Sequence, residues 1–193
     1  HPGGPTALTL HGYAHYLPFG DTEVAYLYTD EPPKWLKRLE LHSELRLRSR
    51  KLFGHPHLGL ERTQPGDGSG GLNLWQQTVT LSTPERAILE TLDELPRNEV
   101  FGIIDATFES LTNLRPRLLT SLLDDCRSVK AKRLFFVFAD KHAHAWRKHL
   151  DPEAFDLGSG DRALTPGGSL HPQYRITVPQ DLLPTEESNP DGA

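Results

Sequence analysis

Four helical patterns follow one another between Ser82 and Leu150, and a chain built this way has to bury several amphipathic helices on a common core. The first is "STPERAILETLDELP": Ser82 or Thr83 is placed to cap, Pro84 suits the first turn, Glu85 complements the helix dipole, and Pro96 ends the run. A second opens at Asn98 and puts Val100, Phe101, Ile104, Phe108 and Leu111 on one face. The third opens at Pro116 and carries Leu118, Leu119, Leu122, Leu123 and Cys126. The fourth opens at Ser128. Its "LFFVF" could also be a buried strand, but no Gly or Pro occurs from Arg127 to Leu150, and Ala131, Leu134, Phe135, Phe138 and Ala139 form a continuous stripe. We read it as a helix.

The flanks read differently. Thr6 is placed to cap a helix over "ALTLHGYAHYL", stopped by Pro18 and Gly20. "TEVAYLYT" alternates as a strand does, Pro33 fits the start of a short helix "PKWLKRL", and "ELRLRSRKLF" sets Leu45 and Leu47 opposite Arg46, Arg48 and Arg50. "GLERTQ" and "LNLWQQTVTL" are further strand candidates around a flexible "PGDGSGG". Near the end, a "PGGS" turn separates two short runs, the second alternating Tyr174, Ile176 and Val178. The expected fold is α+β, a small mixed or antiparallel sheet packed against four to five helices. One domain is expected over 1–180, with an acidic, disordered tail over 181–193.

No apolar run is long enough for a membrane span, so no membrane partner is expected. The single cysteine, Cys126, has apolar neighbours and reads as a buried thiol in a reducing, cytoplasmic setting. Net charge is -5, yet residues 34–51 hold seven Lys/Arg against two Glu, and residues 127–149 hold seven against one Asp. Local charge decides what a surface attracts. Arg46, Arg48, Arg50 and Lys51 form a ridge suited to phosphates, and Arg115, Arg117, Lys130, Lys132 and Arg133 form a second basic group. These nine are the candidate nucleic-acid or partner-binding residues. An acidic protein surface, or a purely structural role, is the alternative for both groups.

No metal or cofactor is expected. His55 with His57, and His142 and His144 with His149 beyond, are the densest histidine groups. Only His11 and His15 have the i,i+4 spacing that shares an ion on a helix. Asp105, Glu109 and the lysines of "KAK" loosely resemble a metal-dependent nuclease set, but helices are the wrong context for it. No nucleophile and base pair is identifiable, so the chain is not read as an enzyme. "LGSG" could cradle a phosphate with backbone N–H groups or could be a tight turn.

The stretches "GGPTALTLHGYAHYLPFG", "PKWLKRL", "STPERAILETLDELP", "LTNLRPRLLTSLLDDCRSVKAKRLFFVFADKHAHAW" and "DLGSGDR" followed by "YRITVP" together resemble the C-terminal domain of AbiEi-type antitoxins. These are transcriptional regulators of type IV toxin–antitoxin systems that act in abortive phage infection. The resemblance implies a winged-helix DNA-binding module ahead of this domain. The chain has no Met and starts at His1, in a stretch similar to the one just after that module in the family, so the module is expected to lie outside it. The resemblance further implies autoregulation through operator DNA, a nucleotidyltransferase-type toxin as functional partner, and this domain as the protective part, with direct toxin contact and auxiliary DNA contacts both open.

Overall fold

The computed structural model describes residues 1–13, 24–38, 44–63, 78–96, 100–164 and 166–184, without the side chain of residue 37. The first helix, α1 (Gly4–Leu10), starts earlier than Thr6 would place it and follows Gly3 in extended backbone. Thr6 instead lies inside α1, where its hydroxyl accepts the Tyr26 N–H at 2.7 Å. Position 3 has to be glycine, because a Cβ there would sit 2.5 Å from the Glu90 carboxylate and from the Tyr28 ring. Residues 14–20, the end of the expected helix, fall outside the described residues.

Among the described residues the strands form three two-stranded pieces instead of one small sheet. β1 (Val24–Tyr28) and β2 (Glu44–Arg48) pair parallel, with Val24 opposite Glu44. A parallel pair cannot be closed by a tight turn. The crossover carries a 3₁₀ helix, Lys34–Arg38, where the sequence suggested a short helix. β3 (Leu60–Thr63) and β4 (Val79–Ser82) pair antiparallel; most of the connection between them, with "PGDGSGG", lies outside the described residues. Residues 1–3 lace these two pieces together. Pro2 bridges Leu27, and the Pro2 carbonyl accepts the Ser82 N–H at 3.0 Å.

β5 (Ser169–Leu170) and β6 (Thr177–Val178) form the third piece. Here the expected hairpin shifts: "PGGS" precedes β5, and the paired strands are joined by His171–Ile176, with Arg175 at φ 52°. The first of the two expected runs meets β6 and its approach through a parallel bridge, Arg162 to Ile176, and through the Leu164 N–H, which donates to the Thr177 hydroxyl at 2.6 Å.

All four helical patterns fold as helices: α2 (Pro84–Glu94), α3 (Phe101–Ser110), α4 (Pro116–Asp125) and α5 (Val129–His142). Thr83 caps α2 and Ser128 caps α5, each accepting an N–H from the third residue beyond it. Val100 stands at the N-cap of α3, two residues beyond Asn98, which is outside the described residues.

α2 and α5 are the centre of the molecule. α5 is buried not only along its expected stripe but also at Phe136 and Val137, so it is apolar nearly all round from Leu134 to Ala139. Phe136 packs against Tyr174 at 5.7 Å and Phe155 at 5.7 Å, while Phe138 stacks on Phe108 at 5.0 Å. A residue at the start of the expected tail, Leu182, is also buried in this core; residues 185–193 are outside the described residues.

Candidate functional site

Helices α2 and α5 set the positions of most of the candidate cations, and they turn them inward. The carboxyl end of α2 leaves carbonyls without helical partners and carries the negative end of the helix dipole. Lys130, from the first turn of α5, donates to the carbonyls of Asp93 and, at 2.8 Å, Leu95. Arg48, from β2, donates to Glu94 at 2.7 Å on the same end of α2. The two basic groups therefore do meet, but over the end of a helix.

Arg133 is 3% exposed and bonds to carbonyls instead of a carboxylate. Its guanidinium donates to the carbonyls of Leu157 at 2.7 Å, Gly160 and Arg175 at 2.8 Å, and Gly158 at 3.1 Å. Burial, with Arg162 and Arg175 nearby, lowers its pKa from the ordinary guanidinium value. The "LGSG" loop aims three carbonyls at an internal cation, and its Gly158 N–H donates to Asp156 at 2.8 Å, which accounts for it as a tight turn. Gly158 at φ 66° approaches Val129 so closely that a Cβ would lie 3.2 Å from its methyls.

Arg115 clamps Glu85 at the start of α2 with Nε and Nη2 at 2.9 Å each, and its own backbone N–H donates to the same carboxylate. Burial by itself would raise the Glu85 pKa, but these bonds hold it below the ordinary value. Arg46 donates to both Glu44 oxygens and to the Tyr26 hydroxyl at 2.9 Å, and its guanidinium and that of Arg48 both lie 5.6 Å from the Tyr26 ring centre. Arg50 donates to the Pro56 carbonyl at 3.1 Å. Lys132 is 4% exposed, its stem packed into the core. Of the nine candidates, Lys51 and Arg117 are exposed with no acceptor among the described residues.

A polar cluster that the sequence did not single out sits under β4. Glu90 on α2 is fully buried and accepts from Arg86 Nε at 2.7 Å, Ser82 Oγ at 2.8 Å and the Gly4 N–H at 2.8 Å. Burial raises the Glu90 pKa, and Arg86 opposes that shift. Arg86 is buried as well, donates to the Leu58 and Pro56 carbonyls, and lies 4.5 Å over the Phe53 ring. The only sequence signal was the i,i+4 spacing of an Arg and a Glu, which also describes any solvent-facing pair.

The histidines take separate hydrogen-bond partners, although the rings of His142 and His144 stack with centres 5.9 Å apart. His55 is fixed by Asp125, which accepts its ring Nδ1 at 2.6 Å and its backbone N–H at 2.8 Å, leaving the ring largely in solvent. His142 and Lys141 both engage Asp105, and His144 reaches the Phe108 carbonyl. His11 bonds the Ser82 carbonyl, while His15 is outside the described residues. Among the described residues no three His, Cys, Asp or Glu side chains are grouped to hold a metal. Asp105 pairs with Lys141, and Lys130 with the end of α2, so the nuclease-like residues do not converge. Cys126 is buried, and burial pushes its thiol up to about 11, too high for a reactive thiolate. No helix among the described residues is long and apolar enough to cross a membrane.

Compared with known families, residues 22–179 match the family described as transcriptional regulator, AbiEi antitoxin, type IV toxin–antitoxin system. No curated protein matches the chain significantly.

Proposed function

The chain belongs to the AbiEi antitoxin family of type IV toxin–antitoxin transcriptional regulators, and from that premise we propose how the work divides. Operator reading and autoregulation fall to a winged-helix module of the kind the family resemblance implies. The domain formed by this chain supplies protection against a nucleotidyltransferase-type toxin by contact between proteins. Its own contacts with duplex DNA are limited to a few phosphates.

One observation carries this reading: Arg46, Arg48, Arg115, Lys130 and Arg133 are engaged by the protein itself. A cation already bonded to a carboxylate or to carbonyls would have to give up those bonds before neutralising a phosphate. Lys51 and Arg117 keep their charges for outside partners, which makes them the residues for auxiliary backbone contact. Such contacts position a duplex without reading its bases.

The test is fluorescence anisotropy of this chain with its own operator duplex and a scrambled duplex over a salt series, beside capture of the cognate toxin by the immobilised chain. The expected result is toxin capture, with weak duplex binding that does not distinguish the two sequences and has a shallow salt slope. A steep slope, or a clear preference for the operator, would assign DNA reading to this domain and overturn the division.

A further inference from the structure

Trp35 has 59% of its surface in solvent, an unusual position for a large aromatic side chain. It sits on the 3₁₀ helix Lys34–Arg38, the crossover between the parallel strands β1 and β2. In a 3₁₀ helix residues three apart eclipse one another, so Trp35 and Arg38 share one side of this turn. Leu36 is half-buried, whereas Lys34, Trp35 and Arg38 are all exposed. Neither Lys34 nor Arg38 has an acceptor among the described residues, in contrast to the arginines of β2. Pro32 and Pro33 lead into the turn with restricted backbone, and the Pro33 carbonyl closes it by accepting the Leu36 N–H at 3.0 Å.

We propose that Trp35, with Lys34 and Arg38, is a binding site for single-stranded nucleic acid. An unpaired base stacks on the indole, and the phosphates on either side pair with the two cations. This small surface presents one aromatic face, two unengaged positive charges and no other exposed apolar side chain among the described ones on its element. Two unengaged cations on the same short turn as one exposed aromatic ring are complementary to a polyanion that carries stackable bases. A duplex hides its base faces in the stack, so only an unpaired base can use the ring. The chain's net charge of -5 repels polyanions in general, which makes unengaged local cations a requirement for any such ligand. The site is independent of the division of labour proposed for the family function and uses none of the same residues.

The experiment is anisotropy of a fluorescein-labelled 12-nucleotide oligouridylate, and of a 12-base-pair duplex with the same label, against the whole chain at low salt. The single strand should bind about tenfold more tightly than the duplex. Trp35→Ala should weaken single-strand binding about tenfold, and Trp35→Phe should restore most of it, as stacking on an aromatic face requires. Replacing Lys34 and Arg38 together with Gln should lower the salt slope by about 1.4, at about 0.7 per phosphate on a single strand. An unchanged melting temperature and circular dichroism spectrum for Trp35→Ala establish that the fold is intact. The proposal fails if the oligouridylate does not bind, if Trp35→Ala binds it as the parent does, or if the duplex binds as tightly. It also fails if Trp35→Ala reduces toxin capture while leaving the oligouridylate unaffected, since the turn would then be a protein anchor.

Discussion

The two basic stretches, residues 34–51 and 127–149, each hold seven Lys/Arg, and the fold divides them differently between interior and surface. In the later stretch Lys130 closes the end of α2, Arg133 holds the 157–160 loop, Lys141 pairs with Asp105, and Arg147 pairs with Asp140 while lying over Phe136. In the earlier stretch Arg46 and Arg48 are tied down, but Lys34, Arg38 and Lys51 stand exposed without an acceptor among the described residues. Arg127 and Lys148 of the later stretch are exposed as well, so the stretches differ in how many of an equal number of cations the interior takes. The difference lies in what surrounds the cations. Arg133 is buried among the carbonyls of Leu157, Gly158, Gly160 and Arg175, and a buried guanidinium has to find acceptors. The crossover turn projects into solvent, where a cation needs none.

The sharpest way to break this contrast is Arg133→Met. It leaves the carbonyls of Leu157, Gly158, Gly160 and Arg175 without a donor in a buried setting, and should cost about 3–5 kcal/mol in urea unfolding. A cost below about 1 kcal/mol would mean that the interior cation is dispensable and the comparison is wrong.

Lys130→Met comes next, at about 1–2 kcal/mol, because it removes two donors from the carboxyl end of α2. Its loss should appear as a lower urea midpoint with an unchanged slope.

Glu85→Gln should have a similar or smaller cost at neutral pH, about 1–2 kcal/mol, and a distinctive pH dependence. The folded pKa of Glu85 lies below its ordinary value, so the Arg115 contribution is complete above that ordinary value and disappears as pH falls through the folded one. The parent should therefore lose stability on acidification more steeply than the Gln variant. Parallel stability curves from neutral pH down to about pH 3 would show that the clamp adds nothing.

Lys51→Gln stands at the other extreme and should change stability by no more than about 0.5 kcal/mol. If Lys51 touches duplex phosphate, the same substitution lowers the salt slope by about 0.9. A stability loss as large as that of Lys130→Met would move Lys51 into the interior class.

Much of the fold could be read locally. Thr83, Pro84 and Ser128 mark helix starts through their own side chains, and the stripes of α4 and α5 follow from spacing alone. Thr6 misled because a hydroxyl can cap a helix or accept from another strand, and Tyr26 took it. "PGGS" misled because a turn signal does not say which strands pair across it, and β5 pairs with β6 across His171–Ile176 instead. The site was less legible than the fold. Nothing near Lys130 in sequence announces the carbonyls of Asp93 and Leu95, thirty-five or more positions away.

The helices and the α+β class were written in the linear chain, since propensity, capping and periodicity act over a few residues, and the family was written there in the likeness of whole stretches to a known one. Which charges remain available was settled by folding. The partner of a guanidinium is whatever the fold brings within about 3 Å, and that proximity is a property of packing. Trp35 and Arg133 show the same rule from opposite sides: each lies in a basic stretch, and its surroundings alone set whether it faces solvent or the core.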